Sequence, residues 1–317
     1  MDLFKTKDNQ LDSLKRESYE LEKDIQSLVE KNVEEIFDIE FVKSEMSLDS
    51  FRLDSLCFDN NSNSFVIIEY KKGKNFSVID QGYSYLSLML NNKSEFILEY
   101  NESMGKTLKR EDVDWSQSRI IFISPSFTHY QKNSVNFKDV PFELWEIKKF
   151  SNDIVGFNQL KSTSNESIEL SDKKSNNVIS NINKEVKVLS EDDVISRNNS
   201  NKSLIDLFYN IKDRVIDWED IQFGYTPTYI SIKRKNKTFV FINFRKKYLR
   251  IHILSGIKIG WDGQVLENNK LFKLDDPKEM FQVVESKYKV LYSLDLTNDN
   301  ELDYFIDMIK QKYESVG

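Results

Sequence analysis

Asp54-Ser55-Leu56-Cys57-Phe58-Asp59, then Phe65-Val66-Ile67-Ile68-Glu69-Tyr70-Lys71, then Gln81-Gly82-Tyr83-Ser84-Tyr85: these three pieces of residues 54–85 decide the fold. The middle piece opens on consecutive apolar residues and reads as a strand covered on both faces. The first piece belongs to an alternating run, Phe51 to Asp59, which reads as a second strand. Between them Asn60 to Ser64 is a polar turn cluster, so the two pieces can pair as a hairpin. The third piece lies within a helical stripe, Ser77 to Asn91, carried by Ile79, Tyr83, Leu86 and Leu90.

The same residues carry chemistry. Glu69 and Lys71 are two apart and project from one face of an extended strand. If the hairpin pairs, Asp54 lies beside Glu69. Two close carboxylates repel unless a cation neutralises them. A hard divalent ion does this, and Mg²⁺ suits few carboxylates plus water and a substrate phosphate. Lys71 then adds positive charge where an attacking water and a phosphodiester would sit. Gln81 and Tyr85 are four apart and share a helix face.

Working outward, Ser18 to Phe37 reads as one helix with apolar residues near a 3.6-residue period, capped by Ser18. Glu40 to Met46, Glu95 to Tyr100, Arg119 to Ser124 and Phe142 to Phe150 read as strands, and Phe127 to Phe137 as a helix. From Ser151 to Ser203 there are 11 Ser and 10 Asn, which predicts a linker or long loops, with 154–160 and 186–189 as apolar patches able to dock as strands. Leu204 to Trp218 then has helical spacing. Tyr229 to Ile232, Thr238 to Phe244 and Tyr248 to Leu254 alternate like a strand meander, and Glu301 to Tyr313 closes as a helix. The expected organisation is therefore 1–150, a connecting 151–203, and 204–317.

Composition sets outer bounds. The 317 residues hold 39% hydrophobic and 31% charged residues, with nine glycines and four prolines. A real core is expected, and a fibrous or wholly disordered chain is excluded. There is no alanine, and the abundance of Lys and Asn reflects a genome poor in G and C, so total lysine carries little functional weight. No long apolar window predicts a membrane span, Met1 to Lys15 lacks an apolar signal core, and the single Cys57 rules out an internal disulfide. The expectation is a soluble, cytoplasmic protein. His129 and His252 have no ligand spacing, and Gly105-Lys106-Thr107 lacks the upstream glycine of a phosphate loop.

Asp54, Glu69-Tyr70-Lys71 and Gln81-x-x-x-Tyr85, behind a leading helix, resemble the PD-(D/E)XK nuclease superfamily, and the Gln-x-x-x-Tyr element is similar to its RecB-like branch. The resemblance spans about Ser18 to Phe150. The region from about Leu204 onward looks like an uncharacterised domain that follows such modules. The resemblance implies an α/β fold: a restriction-endonuclease-like mixed sheet flanked by helices, with a second, smaller α+β domain. It implies Asp54, Glu69 and the Tyr70 carbonyl as ligands of Mg²⁺ or Mn²⁺, Lys71 positioning the nucleophilic water, and Gln81 and Tyr85 supporting the site or touching DNA. An added acid from the first helix is implied too; Glu22 is first choice, with Glu30 and Glu20 as rivals. Leu53 stands where the full motif has Pro.

Charge is distributed unevenly. The net charge is −7, yet Ile221 to Trp261 contains no Asp or Glu. It contains Lys233, Arg234, Lys235, Lys237, Arg245, Lys246, Lys247, Arg250 and Lys258, interleaved with Tyr229, Phe239, Phe241, Phe244 and Tyr248. Basic residues with aromatics on a sheet can grip a phosphate backbone and stack unpaired bases. The first eight of these charges are the expected nucleic-acid contacts. The expected activity is metal-dependent phosphodiester hydrolysis, in DNA before RNA, in a restriction or defence setting. A homodimer would suit cutting both strands. The alternatives are a non-catalytic nucleic-acid-binding module that keeps the nuclease fold, and an interaction subunit for an acidic partner.

Overall fold

A computed structural model of the chain describes residues 2–73, 77–167, 177–198, 202–259, 271–286 and 289–316. It divides into two compact units, Met1–Val188 and Leu189–Gly317. No helix among the described residues is long and apolar enough to cross a membrane.

The first unit contains, in order, β1 (Phe4–Lys7), β2 (Gln10–Ser13), β3 (Arg16–Glu17), α1 (Glu22–Glu30), α2 (Val33–Phe37), β4 (Glu40–Leu48), β5 (Phe51–Asp59) and β6 (Ser64–Tyr70). Then come α3 (Val78–Asn91), α4 (Lys93–Met104), β7 (Arg119–Ser124), α5 (His129–Ser134), β8 (Phe142–Phe150), β9 (Ile154–Leu160) and α6 (Asn177–Glu185). Seven strands form one mixed sheet along β3-β8-β7-β6-β5-β4, with β9 on β8. β6, β7 and β8 run parallel. β4, β5 and β6 run antiparallel. All seven residues of β6 are buried, as its apolar run requires. α1 contributes Ile25 and Val29 to the core on one face of the sheet, with Val66, Ile68 and Ile121.

The α/β class with helices against a mixed sheet is what the sequence led us to expect, but several elements differ. The leading helix is two helices. Ser18 does not cap it, because Arg16 and Glu17 pair with β8 and the helix starts at Glu22. The Asp24 carboxylate instead accepts the Leu21 N–H at 2.9 Å. Glu95 to Tyr100 is not a strand but the body of α4, whose Phe96, Ile97 and Tyr100 share a buried helical face. α5 keeps only the middle of the expected Phe127–Phe137 helix. In the Ser/Asn-rich stretch the 154–160 patch docks on the sheet as β9, as expected, but the 186–189 patch forms no strand, and α6 and a helix at Glu191–Arg197 stand where a linker was expected. Residues 168–176 and 199–201 of that stretch, and Trp261, lie outside the described set.

α3 is capped by Ser77, whose hydroxyl accepts the Asp80 N–H at 3.2 Å. It crosses β8 so closely that a Cβ on Gly82 would sit 2.5 Å from the Phe142 ring. Tyr83 and Phe122 pack edge-on against that ring, so a shift of it would disturb both. Gly82→Ala should therefore cost about 1–3 kcal/mol despite alanine's better helix propensity. Urea unfolding would show this as a lower midpoint at unchanged slope. An unchanged midpoint would mean that α3 does not sit this close to the sheet.

The second unit comprises α7 (Glu191–Arg197), α8 (Lys202–Val215), six strands and α9 (Leu302–Ser315). The strands are β10 (Ile221–Tyr225), β11 (Ile230–Arg234), β12 (Lys237–Phe244), β13 (Leu249–Lys258), β14 (Gln282–Ser286) and β15 (Lys289–Leu296). They form one antiparallel sheet in the order β10-β11-β12-β13-β15-β14. Ile232, Ile242 and Ile251 on it share a core with Leu207 and Phe208 of α8 and Phe305 of α9.

Candidate active site

The ladder between β5 and β6 ends with Ser55 opposite Ile68, and the next position on each strand holds Asp54 and Glu69. Beyond that point the strands part, and side chains take over the bonding of the freed backbone groups. One Asp54 oxygen, Oδ2, accepts the Tyr70 N–H at 2.9 Å. Glu69 is 2% exposed. Its Oε1 accepts from the Lys71 ammonium at 2.7 Å and from the Gln81 amide at 2.7 Å. The same amide lies 3.0 Å from the Tyr85 hydroxyl, which in turn donates to the Arg52 carbonyl at 3.4 Å. Helix α3 thus brings both members of the Gln-x-x-x-Tyr spacing onto the Glu-x-Lys strand. A cavity of about 620 Å³ lies along the helix, lined by Asp49, Phe51, Asp80 and Tyr83.

Electrostatics follow from this packing. Burial, then the charge of Asp54, push the Glu69 carboxyl up to about 7 against the pull of Lys71. Burial likewise raises Asp54, while the Tyr70 N–H and Lys71 pull the other way. The second oxygen of Glu69, Oε2, is buried with no hydrogen-bond partner among the described residues. An orphaned carboxylate oxygen is expensive to bury, and a bound cation would remove that cost.

The three candidate acids of the leading segment part ways. Glu22 accepts the Lys72 N–H at 2.7 Å, and its negative charge contributes to raising Asp54. Glu30 faces away, accepting from Ser55 at 2.6 Å and Gln26 at 2.9 Å. At Glu20 it is the backbone carbonyl that is engaged, by the Lys72 ammonium. Among the described residues no group of three or more His, Cys, Asp or Glu is placed to hold a metal ion. The site offers a carboxylate pair rather than a full protein cage, which matches the Mg²⁺ preference for keeping several waters. Gln26 escaped the sequence reading. Its signal was the four-residue spacing Glu22, Gln26, Glu30, polar positions repeating on one face of α1.

In the second unit the basic residues do not form one patch. Lys233, Arg234, Lys235 and Lys237 surround the β11–β12 turn, and Arg245, Lys246 and Lys247 form the β12–β13 turn. The eight-residue β12 separates these turns by roughly 25 Å. Arg234 lies 4.3 Å from the Tyr313 ring and donates to the Tyr313 carbonyl. Arg250 makes a two-pronged pair with Asp295 at 2.7 and 2.8 Å. Phe239 and Phe244 are core residues, and Phe241 is buried against Tyr229. Among the basic residues of 221–261 whose burial is described, Lys235 and the 245–247 turn are the exposed ones.

Comparison with known proteins finds the following similarities. Residues 191–316 match the family described as "Domain of unknown function (DUF5655)". An "Uncharacterized protein" of Haemophilus influenzae is 38% identical over 316 residues, spanning 98% of this chain and 99% of that one. Among solved structures, a repair endonuclease from Pyrococcus abyssi matches at 19% identity and a TM-score of 0.22, over 38% of this chain and 44% of that one. A structure titled "EndoMS-dsDNA2 complex" matches at 18% identity and a TM-score of 0.24, over 41% of this chain and 47% of that one. The matched region is under half the length of either.

Proposed function

We propose that this chain, which belongs to the same family as the uncharacterized Haemophilus influenzae protein, hydrolyses phosphodiester bonds in DNA with a divalent cation, Mg²⁺ or Mn²⁺, held at Asp54 and Glu69. The observation that carries this reading is the buried Glu69 Oε2, without a hydrogen-bond partner among the described residues, beside a second carboxylate and an ammonium. Asp54, Glu69 and the Tyr70 carbonyl would hold the ion. When bound it supplies Lewis-acid polarisation of the phosphate and lowers the pKa of water. Lys71, 2.7 Å from Glu69, orients the attacking water and offsets charge building on the phosphate oxygens. Gln81 fixes the Glu69 carboxylate, and Tyr85 fixes Gln81.

The rival reading, a nuclease fold kept for binding alone, draws on the Lys71–Glu69 ion pair, which neutralises one carboxylate without a metal. It needs Glu69 to hold its proton beside Asp54, which the raised Glu69 carboxyl allows only below about pH 7. Incubating the protein with supercoiled plasmid and with single-stranded oligonucleotides in Mg²⁺ or Mn²⁺ separates the two. Cleavage that a chelator abolishes is expected; no cleavage with either ion would leave binding alone.

Metal affinity should depend on pH with a definite sign. In the metal-free protein the unfolded chain ionises Glu69 near 4.3, well before the folded one does at about 7. The stability contributed by this group is present below about pH 4 and is lost as pH rises toward 7. Mn²⁺ needs the ionised form. The rise in Tm on adding Mn²⁺ should therefore be larger at pH 8 than at pH 6. Equal shifts at both values would remove Glu69 from the ligand set.

A further inference from the structure

Asp54 occupies an unusual place in its sheet. Toward β6 the ladder stops at Ser55. Toward β4 the pairs Ser44–Ser55 and Met46–Leu53 flank it, and the residue between them on β4, Glu45, has a left-handed backbone with φ 53°. Neither neighbouring strand pairs regularly with Asp54. Its carbonyl is taken instead by Gln26, whose amide nitrogen lies 3.0 Å away. That nitrogen also sits 2.9 Å from Glu30 Oε1 and 3.1 Å from the Ser44 hydroxyl. Glu30 in turn accepts from Ser55, whose hydroxyl is 3.1 Å from the Tyr70 hydroxyl. Gln26 is 9% exposed, next to Ile25, which is fully buried. An apolar side chain there would pack without the desolvation cost of an amide, so stability alone does not account for a glutamine.

We propose that Gln26 is a positioning residue for Asp54. It replaces the missing strand partner, holds the Asp54 peptide, and so aims the carboxylate that accepts the Tyr70 N–H. Glu30 and Ser55 brace the arrangement from behind through the Tyr70 hydroxyl. Toward the metal, the inference rests on the proposed reading of Asp54 and Glu69. Toward the backbone, it stands on the hydrogen bonds alone.

The test uses the full chain and two variants, Gln26→Met, close in volume but without a donor, and Glu30→Gln, which keeps the shape and removes the charged acceptor. Amide hydrogen exchange without metal reads the positioning directly. In Gln26→Met, exchange at Tyr70 and Ser55 should quicken at least tenfold relative to Val66 and Ile121, with a smaller effect in Glu30→Gln. Calorimetric titration with Mn²⁺ reads the consequence: affinity about tenfold weaker in Gln26→Met, with kcat for DNA cleavage lowered and KM little changed. Parental exchange at Tyr70 in a folded Gln26→Met variant would overturn the proposal, as would a uniform rise across the whole sheet. If Gln26→Met does not fold, parental exchange in Glu30→Gln overturns it. If the parent protein binds no Mn²⁺ while Tyr70 exchange still quickens selectively, the positioning stands and the nuclease reading falls.

Discussion

Glu69→Ala and Lys71→Ala should each abolish DNA cleavage, by about 10³-fold or more, and leave DNA binding intact. Glu69 is the pivot of the site: its Oε1 joins Lys71 and Gln81, and its Oε2 is a buried oxygen without a partner among the described residues. Removing it deletes a ligand and the Lys71 ion pair. Losing one group that stabilises developing charge costs roughly 10²–10³ in rate, and a lost ligand adds to that. Binding should be unchanged or slightly tighter for Glu69→Ala, since a carboxylate beside a phosphate repels it. Single-turnover cleavage of a labelled duplex and a gel-shift titration on the same preparations check both halves. A Glu69→Ala protein that still cuts would place the chemistry elsewhere. One that loses binding together with cleavage would point to a damaged fold.

The second large effect concerns the basic turns of the second unit. Reversing Arg245, Lys246 and Lys247 together to Glu should weaken DNA affinity about 100-fold at low salt. These three side chains are exposed at one turn, whereas Arg234 and Arg250 are already committed to Tyr313 and Asp295. Each phosphate contact contributes about 0.9 to the slope of log affinity against log salt, so three lost contacts should flatten that slope by about 2.7. Reversing Lys233, Lys235 and Lys237 tests the opposite end of β12. Equal losses at both ends would require a ligand long enough to span roughly 25 Å. If neither triple changes the slope, the acid-free interval serves the fold and not DNA.

How much of this was legible follows from particular residues. Phe65 to Ile68 is an unbroken apolar run, and burial on both faces is the only economical fate for it, so β6 and its hairpin with β5 could be read directly. The α3 helix was equally plain from Ile79, Tyr83, Leu86 and Leu90, although only Tyr83 and Leu86 of these are buried, with Val78 and Met89 among the other core positions. Glu95 to Tyr100 misled, because Phe96-Ile97-Leu98 is short enough to suit a strand or a buried helix, and only packing decides. β10, β14 and β15 went unread; the Gln282–Ser286 edge strand buries no residue and so leaves no alternating pattern. Charge along the chain revealed a basic interval but not its split, since strand register sends Arg250 to Asp295, 45 residues away. Gln26 was hidden for the same reason: its role depends on where the β5 ladder breaks, which no local pattern records.

The most direct test of the central claim is anomalous scattering from crystals grown or soaked in Mn²⁺. The account predicts one strong peak in contact with Asp54 and Glu69, with the Tyr70 carbonyl among its neighbours, and its disappearance in Glu69→Ala. An empty site at saturating Mn²⁺, with the Lys71–Glu69 pair still closed, would contradict it.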